Sequence, residues 1–286
     1  MKKKMLIILL AMFALVLTGC SKQGASGKIN VVTSTNVYQD IAKNIIGKDG
    51  TVTAVISNGN VDPHDFEPTT DSAKVVAKAD IVVENGLGYD SWMKRLAEAN
   101  NKKVMNVGKL MGKKTGDNPH IWYNLSMVKV FVNELVKEAG KLAPSKKATF
   151  EKRAKAYLAQ VDAIKDIAKK VPATKKSVFV TEPVFDYALQ ASGLKIGDKE
   201  FEEAIENETD PSVKTVHAIQ TNIKNRNYAA FVYNTQVQNS TISNLLKMAK
   251  QYKIPVIQVR ETMPNNVAYL TWMRQNYQQI IEKIKK

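Results

Sequence analysis

Residues 144–171, PSKKATFEKRAKAYLAQVDAIKDIAKKV, predict one long amphipathic helix at the centre of the chain. Apolar side chains recur at steps of three and four residues, which places them on one face of a helix, and charged side chains fill the other faces. The apolar positions are Phe150, Ala154, Tyr157, Leu158, Val161, Ile164 and Ala168. Pro144 and Ser145 suit the start of a helix, and Pro172 prevents its continuation. At about 1.5 Å per residue the helix would extend for roughly 40 Å, the length of a small domain.

Similar patterns of short apolar runs and amphipathic segments lie on both sides of this helix. The predicted strands are 29–33, 52–56, 81–83, 104–107, 177–180, 229–232 and 256–259. The predicted helices outside the central one are 37–46, 72–79, 90–99, 125–142, 184–191, 212–224, 238–251 and 268–284. Alternating strands and helices favour right-handed β-α-β units around a parallel sheet. We therefore expect an α/β fold of two lobes, each with a mostly parallel sheet and flanking helices, joined by one long linking helix. The alternative is an ordinary amphipathic helix inside one large domain.

The amino-terminal residues carry the pattern of an export signal. Residues 1–19 have a basic start, an apolar run of about a dozen residues and small residues before Cys20. Residues 17–20, LTGC, resemble the bacterial lipobox, in which the cysteine is lipidated and becomes the mature amino terminus. Cys20 is the only cysteine in the chain, so it cannot form an internal disulfide. The alternative is an uncleaved signal anchor with an unmodified Cys20.

These features predict how the chain is divided and where it is located. We expect a lipoprotein signal peptide at 1–19, a lipidated tether at 20–27, an N-terminal lobe at 28–143, a linking helix at 144–172 and a C-terminal lobe at 173–286. Beyond residue 20, no apolar run approaches the roughly 20 residues that a membrane-spanning helix needs. We therefore expect an extracytoplasmic protein that a lipid on Cys20 anchors to the outer face of the bacterial cell membrane.

The chain has a formal charge of +15 at pH 7, of which the export signal contributes three through Lys2, Lys3 and Lys4. A basic excess of this size is common in proteins that bind nucleic acid. An exported protein rarely meets nucleic acid, however, and the lysines are spread along predicted helices instead of clustering with aromatic side chains. We therefore expect no nucleic-acid partner and interpret the charge as an adaptation to an anionic membrane or wall surface.

Four side chains of metal-ligand type follow predicted strands, at the edge where ligands collect in open α/β sheets. His64 and His120 come from the first lobe, and Glu182 and Glu261 come from the second. A proline precedes each of these two histidines, and a rigid turn of this kind can aim an imidazole. Taken singly, each residue could equally be a solvated surface side chain, but together they could converge between facing lobes. His217 falls inside a predicted helix, and we interpret it as an ordinary helical residue.

Four short segments resemble the metal-binding motifs of the solute-binding lipoproteins of zinc and manganese ABC transporters. They are 62–69 (DPHDFEPT), 118–122 (NPHIW), 181–187 (TEPVFDY) and 260–262 (RET). The resemblance extends over essentially the whole mature chain. It implies two α/β lobes joined by a rigid helix, with one divalent ion held between them and delivered to the permease of an ABC transporter. The metal ligands that it implies are His64, His120, Glu182 and Glu261.

The chain departs from that family in two respects. Glu261 stands where the family usually has an aspartate, and the histidine- and aspartate-rich loop of many zinc-specific members is missing. Two neutral imidazoles and two carboxylates would balance the charge of a divalent ion. Such a set suits Mn²⁺ or Zn²⁺, with Fe²⁺ less favoured, and does not decide between them. Asn234 and Gln236, just beyond a predicted strand, are candidates for supporting the ligands, or else simply polar surface residues.

Three functions are compatible with these residues. We predict a monomeric binding protein that is not an enzyme and that carries its ion as cargo. A metal-dependent hydrolase is the first alternative, but four protein ligands would leave the ion no open position for water, and the chain contains no H-E-x-x-H helix. A surface adhesin in which the metal is a structural element is the second alternative, and this role could coexist with transport.

Overall fold

The computed structural model describes residues 28–61, 63, 66–237 and 239–284. Its strands are β1 (Ile29–Thr35), β2 (Gly50–Ile56), β3 (Ile81–Glu84), β4 (Val104–Asn106), β5 (Ser177–Val180), β6 (Ile196–Gly197), β7 (Tyr228–Asn234) and β8 (Val256–Val259). Its α-helices are α1 (Asn36–Ile46), α2 (Thr70–Ala77), α3 (Ser91–Ala99), α4 (Val107–Leu110), α5 (Leu125–Leu142), α6 (Lys147–Ala168), α7 (Asp186–Ala191), α8 (Lys199–Glu206), α9 (Val213–Lys224), α10 (Ser240–Gln251) and α11 (Tyr269–Ile284). The predicted signal peptide, Cys20 and the tether lie outside the described residues, and so does His64. Within the described ranges, no helix combines the length and the apolar character that crossing a membrane requires.

The described strands form two four-stranded sheets with the same permuted order. The first sheet is ordered β2-β1-β3-β4, and the second is ordered β6-β5-β7-β8. Every pairing between these strands is parallel. Parallel strands need crossover connections, and helices supply them on both faces of each sheet. The predicted fold class, two lobes with mostly parallel sheets and flanking helices, is confirmed.

Alternate residues of the strands pack into different clusters of apolar side chains. In β1, Val31 lies in the largest cluster, whereas its neighbour Val32 lies in a smaller one on the opposite face of the sheet. In β5, Val178 belongs to the same largest cluster as Val31, and Phe179 belongs to a separate one. Side chains alternate across a strand, so each sheet has one face toward a shared interior and one face toward its own outer helices. The two lobes are thus packed around one continuous core.

The linking helix α6 forms where the sequence predicts it. A 3₁₀ turn at Pro144–Lys146 precedes the 22 residues of α6, which extend for about 33 Å. Six of the seven predicted apolar positions are buried, and Leu158 is half-buried. Near its start, the guanidinium of Arg153 donates to the carbonyl of Ile46 and pairs with the carboxylate of Asp49, both at 2.7 Å. These contacts, and the hydrogen bond of Arg153 above all, hold the pKa of Asp49 below its ordinary value.

The last helix, α11, connects the second lobe back to the first. It packs along α6 and also contacts α1 and the strands β7 and β8. At its start, the backbone N–H of Tyr269 donates to Asp40 (3.0 Å), and its hydroxyl donates to the carbonyl of Trp122 (2.6 Å). Burial raises the pKa of Asp40. Helix α11 belongs to the predicted C-terminal lobe but also contacts the first lobe. The predicted limits 28–143, 144–172 and 173–286 therefore stay predictions.

The structure differs from the predicted elements mainly in the second lobe. Strand β6 has only two residues and helix α8 has eight, and neither was predicted. In the first lobe, Val107 begins the short helix α4, so the predicted strand at 104–107 ends one residue earlier. His217 lies in α9 and is exposed, as expected of an ordinary helical residue. Despite these differences, every predicted strand ends within two residues of the end of the observed strand.

Candidate metal centre

The carboxyl edge of the second sheet carries two of the predicted ligands. Glu182 follows β5 and Glu261 follows β8, each two residues beyond the strand. Asn234 ends β7, which lies between β5 and β8 in the sheet. All three side chains are buried, with exposed fractions of 7%, 7% and 1% respectively. Two carboxylates and one amide are therefore held inside the molecule at one sheet edge.

The two predicted supporting residues contact this edge in different ways. The amide of Asn234 donates to Oε2 of Glu182 (2.8 Å), which fixes one oxygen of that carboxylate. The amide of Gln236 contacts the residue after Glu261, since its Nε2 donates to the hydroxyl of Thr262 (2.8 Å) and its Oε1 accepts from the Thr262 N–H (3.1 Å). Asn234 therefore orients a predicted ligand directly, and Gln236 orients the backbone beside one. Their roles at a metal stay predictions.

His120 is completely buried and its ring orientation is fixed by Asn118. The 3₁₀ turn Ile121–Tyr123 begins directly after His120 and ends the long loop that follows α4. The Oδ1 atom of Asn118 accepts from the backbone N–H of His120 (2.9 Å) and lies 2.9 Å from its Nδ1. With an acceptor at this position, the neutral imidazole carries its proton on Nδ1, which leaves Nε2 as the electron-pair donor that a metal needs.

Asn118 also links the two lobes beside the second predicted ligand. Its Nδ2 donates to the carbonyl of Pro183 (2.6 Å), the residue after Glu182. Its own carbonyl accepts from the hydroxyl of Tyr187 (2.9 Å). One asparagine thus orients a histidine of the first lobe and holds the chain next to a glutamate of the second.

Tyr89 makes a second connection across the lobes. Its hydroxyl donates to Oε1 of Glu261 (2.9 Å). Its ring lies edge-on to the ring of His120, with 6.2 Å between centroids, and packs against Trp122 at 4.9 Å. The buried tyrosine therefore touches one predicted ligand from each lobe.

A tight loop after β3 places Tyr89. The carboxylate of Asp90 accepts from the backbone N–H groups of Asn85 (2.7 Å) and Gly86 (2.9 Å), and burial raises the pKa of Asp90. Gly86 has a φ of 80°, and a Cβ atom there would come within 2.6 Å of all three terminal side-chain atoms of Asn106. Only glycine meets both conditions without strain. The loop is therefore fixed, and so is the tyrosine it carries.

His64 lies outside the described residues, but the segment before it is tied to the second lobe. The N–H of Gly59 donates to Asn265 (2.8 Å), and its carbonyl accepts from the guanidinium of Arg260 (2.8 Å). Within the first lobe, the carbonyl of Pro63, directly before His64, accepts from the indole of Trp92 (3.2 Å). Among the described residues, no three His, Cys, Asp or Glu side chains form a group that could hold a metal ion. The four-ligand site therefore stays a prediction.

Sequence reasoning missed Tyr89, and it used Asn118 only as the context of a histidine. Both have signals in the sequence. Tyr89 follows the third apolar strand in a glycine-rich loop, NGLGYD, at the sheet edge where ligands collect. Asn118 stands two residues before His120, a spacing that suits a side chain that folds back onto the following backbone.

Comparisons with known proteins agree with this architecture. A model of the family described as zinc-uptake complex component A, periplasmic (ZnuA), matches residues 31–283. The manganese ABC transporter substrate-binding lipoprotein PsaA of Streptococcus mitis is 32% identical over 219 residues, which are 68% of this chain and 70% of the relative. The metal ABC transporter substrate-binding lipoprotein ScbA of Streptococcus cristatus is 30% identical over 216 residues, 67% of this chain and 69% of the relative.

Solved structures share the fold at lower sequence identity. The solute-binding protein FpvC of Pseudomonas aeruginosa, in complex with Mn²⁺, aligns with a TM-score of 0.74 and 20% identity over 91% of this chain and 99% of its own. The periplasmic zinc-binding protein TroA of Treponema pallidum aligns with a TM-score of 0.72 and 20% identity over 90% of this chain and 99% of its own. These two likenesses establish the arrangement of lobes and linking helix.

The family match includes both sheets, the linking helix and all four predicted ligand positions within residues 31–283. The curated relatives are named as binding components of transporters, not as enzymes. The resemblance that the short motifs carry is thereby confirmed. The chain belongs to the zinc-uptake complex component A (ZnuA) family.

Proposed function

We propose that this chain is the extracytoplasmic receptor of an ABC importer, which captures Mn²⁺ or Zn²⁺ between its lobes and delivers the ion to the membrane permease. The ligands are His64 and His120 from the first lobe and Glu182 and Glu261 from the second. Support comes from the relatives, which are named for manganese or for metal transport, and from the solved structures named for Mn²⁺ and zinc.

The observation that carries the proposal is the pair of connections between the two sheet edges. Tyr89 joins the aromatic surroundings of His120 to Glu261, and Asn118 joins the ring of His120 to the residue after Glu182. Burying two carboxylates is costly unless a cation compensates for them. A divalent ion between two neutral imidazoles and these two carboxylates removes that cost.

The receptor function is favoured over the two alternatives. A hydrolase needs an open coordination position at its metal, and four protein ligands would leave none. The relatives are also named as substrate-binding components. An adhesive role does not conflict with metal capture and stays a separate hypothesis.

The mature chain is anchored through a lipid on Cys20, as the lipoprotein names of the relatives support. It acts as a monomer, a proposal that sedimentation equilibrium would measure directly. Among the described residues, only Leu110, Leu142 and Val213 are large, exposed and apolar. They are too few to form the apolar patch that a stable homodimer buries.

Uptake of radioactive manganese or zinc by living cells tests the receptor function. Cells that lack the protein should lose uptake at limiting metal concentration, and the wild-type chain should restore it. The double variant Glu182→Gln/Glu261→Gln should fail to restore uptake, because two charges that balance the ion are lost. The matched control, Glu200→Gln/Glu203→Gln, changes two exposed glutamates and should restore uptake fully. Uptake that survives deletion of the chain, with adhesion lost, would favour the adhesin hypothesis instead.

Replacement of Asn118 tests how the ring of His120 is held. Asn118→Ala removes the acceptor for Nδ1 and the bond to Pro183, so we expect metal affinity to fall roughly 10- to 100-fold, as for residues that orient metal-bound histidines. Asn118→Asp keeps the acceptor and loses the amide donor, so it should recover most of the affinity. Titration calorimetry with Mn²⁺ measures both. Equal losses in the two variants would show that the bond to Pro183, and not the orientation of the ring, is the important contact.

A further inference from the structure

The amino-terminal edge of the second sheet carries a dense set of basic side chains. Lys175 and Lys176 precede β5, Lys195 precedes β6, Arg226 lies two residues before β7, and Lys253 lies shortly before β8. All five are exposed. Their backbones are held close together, because neighbouring parallel strands start at one edge and lie about 4.8 Å apart. We name these five residues the basic edge.

The charge of the basic edge is not neutralised within the described part of the chain. None of its five residues forms an ion pair there, and the ammonium of Lys176 donates instead to the carbonyl of Arg226 (2.7 Å). Two more exposed lysines, Lys224 and Lys250, lie in the last turns of α9 and α10, which end beside the edge. The carboxyl-terminal ends of α9 and α10 carry partial negative charge, which favours lysine in their last turns. This effect does not account for Arg226 and Lys253, which lie beyond the helix ends.

The matching edge of the first sheet is different. There, Asp80 accepts from the backbone N–H of Asn30 (2.8 Å), and Asp49 pairs with both Lys146 and Arg153. Lysines precede the strands of the first sheet as well, but Asp49 and Asp80 stand among them. No carboxylate stands directly before a strand of the second sheet, so the basic edge differs from the first edge in lacking these acids.

Two residues of the basic edge occupy backbone positions that favour glycine. Arg226 has a φ of 54° and Lys253 a φ of 59°, each directly past the end of a helix. The N–H of the following residue closes the helix in both cases, from Asn227 to the carbonyl of Asn222 and from Ile254 to that of Ala249. Glycine or asparagine is usual at such positions. Each of these helix ends therefore places a basic residue shortly before a strand of the second sheet.

The basic edge lies at the opposite end of the molecule from the predicted anchor. Residue 28 begins the first lobe at the amino edge of the first sheet, and the carboxyl edges of the two sheets face each other. The amino edges are therefore the two outer ends of the pair of sheets. The basic edge is therefore remote from residue 28, to which the predicted tether is attached.

We propose that the basic edge binds a flexible polyanion of repeated phosphate groups outside the membrane. Four strand starts at this spacing present positive charge along roughly 14 Å, which matches several consecutive phosphates of an extended chain. Such a polymer is held by charge and not by shape. This binding is independent of metal capture and goes beyond the proposed receptor function.

Inorganic polyphosphate is the probe for the test. The full-length lipidated chain, anchored in phosphatidylcholine vesicles, is titrated with polyphosphate at several salt concentrations. The variant Lys175→Gln/Lys176→Gln/Arg226→Gln/Lys253→Gln should bind roughly 100-fold more weakly at low salt. The slope of log affinity against log salt should also fall by ~3, because about 0.7 counterions are released per neutralised phosphate of a single-stranded polyanion. Unchanged Mn²⁺ affinity in the variant would show that the metal site is intact.

A charge-matched control separates a specific edge from net charge. Lys129→Gln/Lys147→Gln/Lys152→Gln/Lys155→Gln removes four exposed lysines from α5 and α6 and should leave polyphosphate affinity within about threefold of wild type. An equal loss in both variants would overturn the proposal, because binding would then reflect total charge. Repeating the titration in vesicles that contain phosphatidylglycerol should preserve the difference between wild type and edge variant. Loss of that difference would mean that the edge docks on the membrane, which also overturns it.

Discussion

Mn²⁺ should raise the free energy of unfolding of the chelator-treated, full-length chain by about 4 kcal/mol when free ion exceeds its dissociation constant 1,000-fold. The physical reason is that the ion binds the folded site and not the unfolded chain. Both predicted carboxylate ligands are buried, so an ion bound between them also removes the desolvation cost that they carry without it. Differential scanning calorimetry at several concentrations of Mn²⁺ and Zn²⁺ measures the shift.

Glu182→Gln should abolish most of this stabilisation while leaving the metal-free protein at least as stable as wild type. The replacement keeps the shape of the side chain and removes the charge that balances the ion. Glu182 is only 7% exposed, so removing its charge also removes a desolvation cost and favours the metal-free fold. This combination of outcomes distinguishes a ligand from a residue that merely supports the fold, because loss of a supporting residue destabilises both forms.

Glu200→Gln is the matched control for that substitution, since Glu200 is an exposed glutamate of the same lobe. It should show the full metal-dependent shift. If Glu182→Gln also retains the full shift, Glu182 is not a ligand and the four-residue site is wrong. If neither ion stabilises the wild-type chain, the site takes another solute, and the cleft must be tested with other ligands.

The sequence predicted the fold well because its evidence is local and periodic. Buried parallel strands such as β3, with the sequence IVVE, are continuous apolar runs, and α6 repeats its apolar side chains with the period of a helix. Helix α8, KEFEEAIE, has only three apolar side chains among four glutamates and one lysine, so its burial depends on tertiary contacts. Strand β6 has two residues, too few for any period to be visible.

The site could be predicted only as a set of residue types at strand ends. The contacts that join its parts are between residues far apart in sequence, 172 positions for Tyr89 and Glu261 and 65 for Asn118 and Pro183. No periodicity links such positions, because the closing of two lobes brings them together. A polar residue at a strand end can be recognised in a sequence, but its partner across a cleft cannot.

Two buried carboxyl groups in the second lobe give rise to the other large expected effect. Asp186, the first residue of α7, and Glu202 of α8 are hydrogen-bonded to each other, with exposed fractions of 5% and 2%. Burial, followed by the negative charge of Asp186, raises the pKa of Glu202 to about 9. Lys199 nearby partly offsets this for both groups. At neutral pH, Glu202 is therefore protonated in the folded chain and donates to Asp186.

The direction of the pH effect follows from the raised pKa. In the unfolded chain Glu202 ionises near its ordinary value of 4.5, whereas in the folded chain it keeps its proton until about pH 9. The folded state therefore binds the extra proton between these values, and the free energy of unfolding falls as the pH rises through this range. The stability that protonated Glu202 contributes is fully present below about pH 4.5 and is lost by about pH 9.

Glu202→Gln should remove this dependence, because an amide donates to Asp186 without a proton to lose. Relative to wild type, the variant should gain on the order of 2–4 kcal/mol of unfolding free energy between about pH 5 and pH 8. Urea unfolding of the full-length chain, with chelator present at each pH, measures the difference. Glu203→Gln, at the exposed neighbouring position of α8, should give a curve parallel to wild type. A parallel curve for Glu202→Gln as well would show that Glu202 is already ionised in the folded chain, and that Lys199 outweighs the cost of burying its charge.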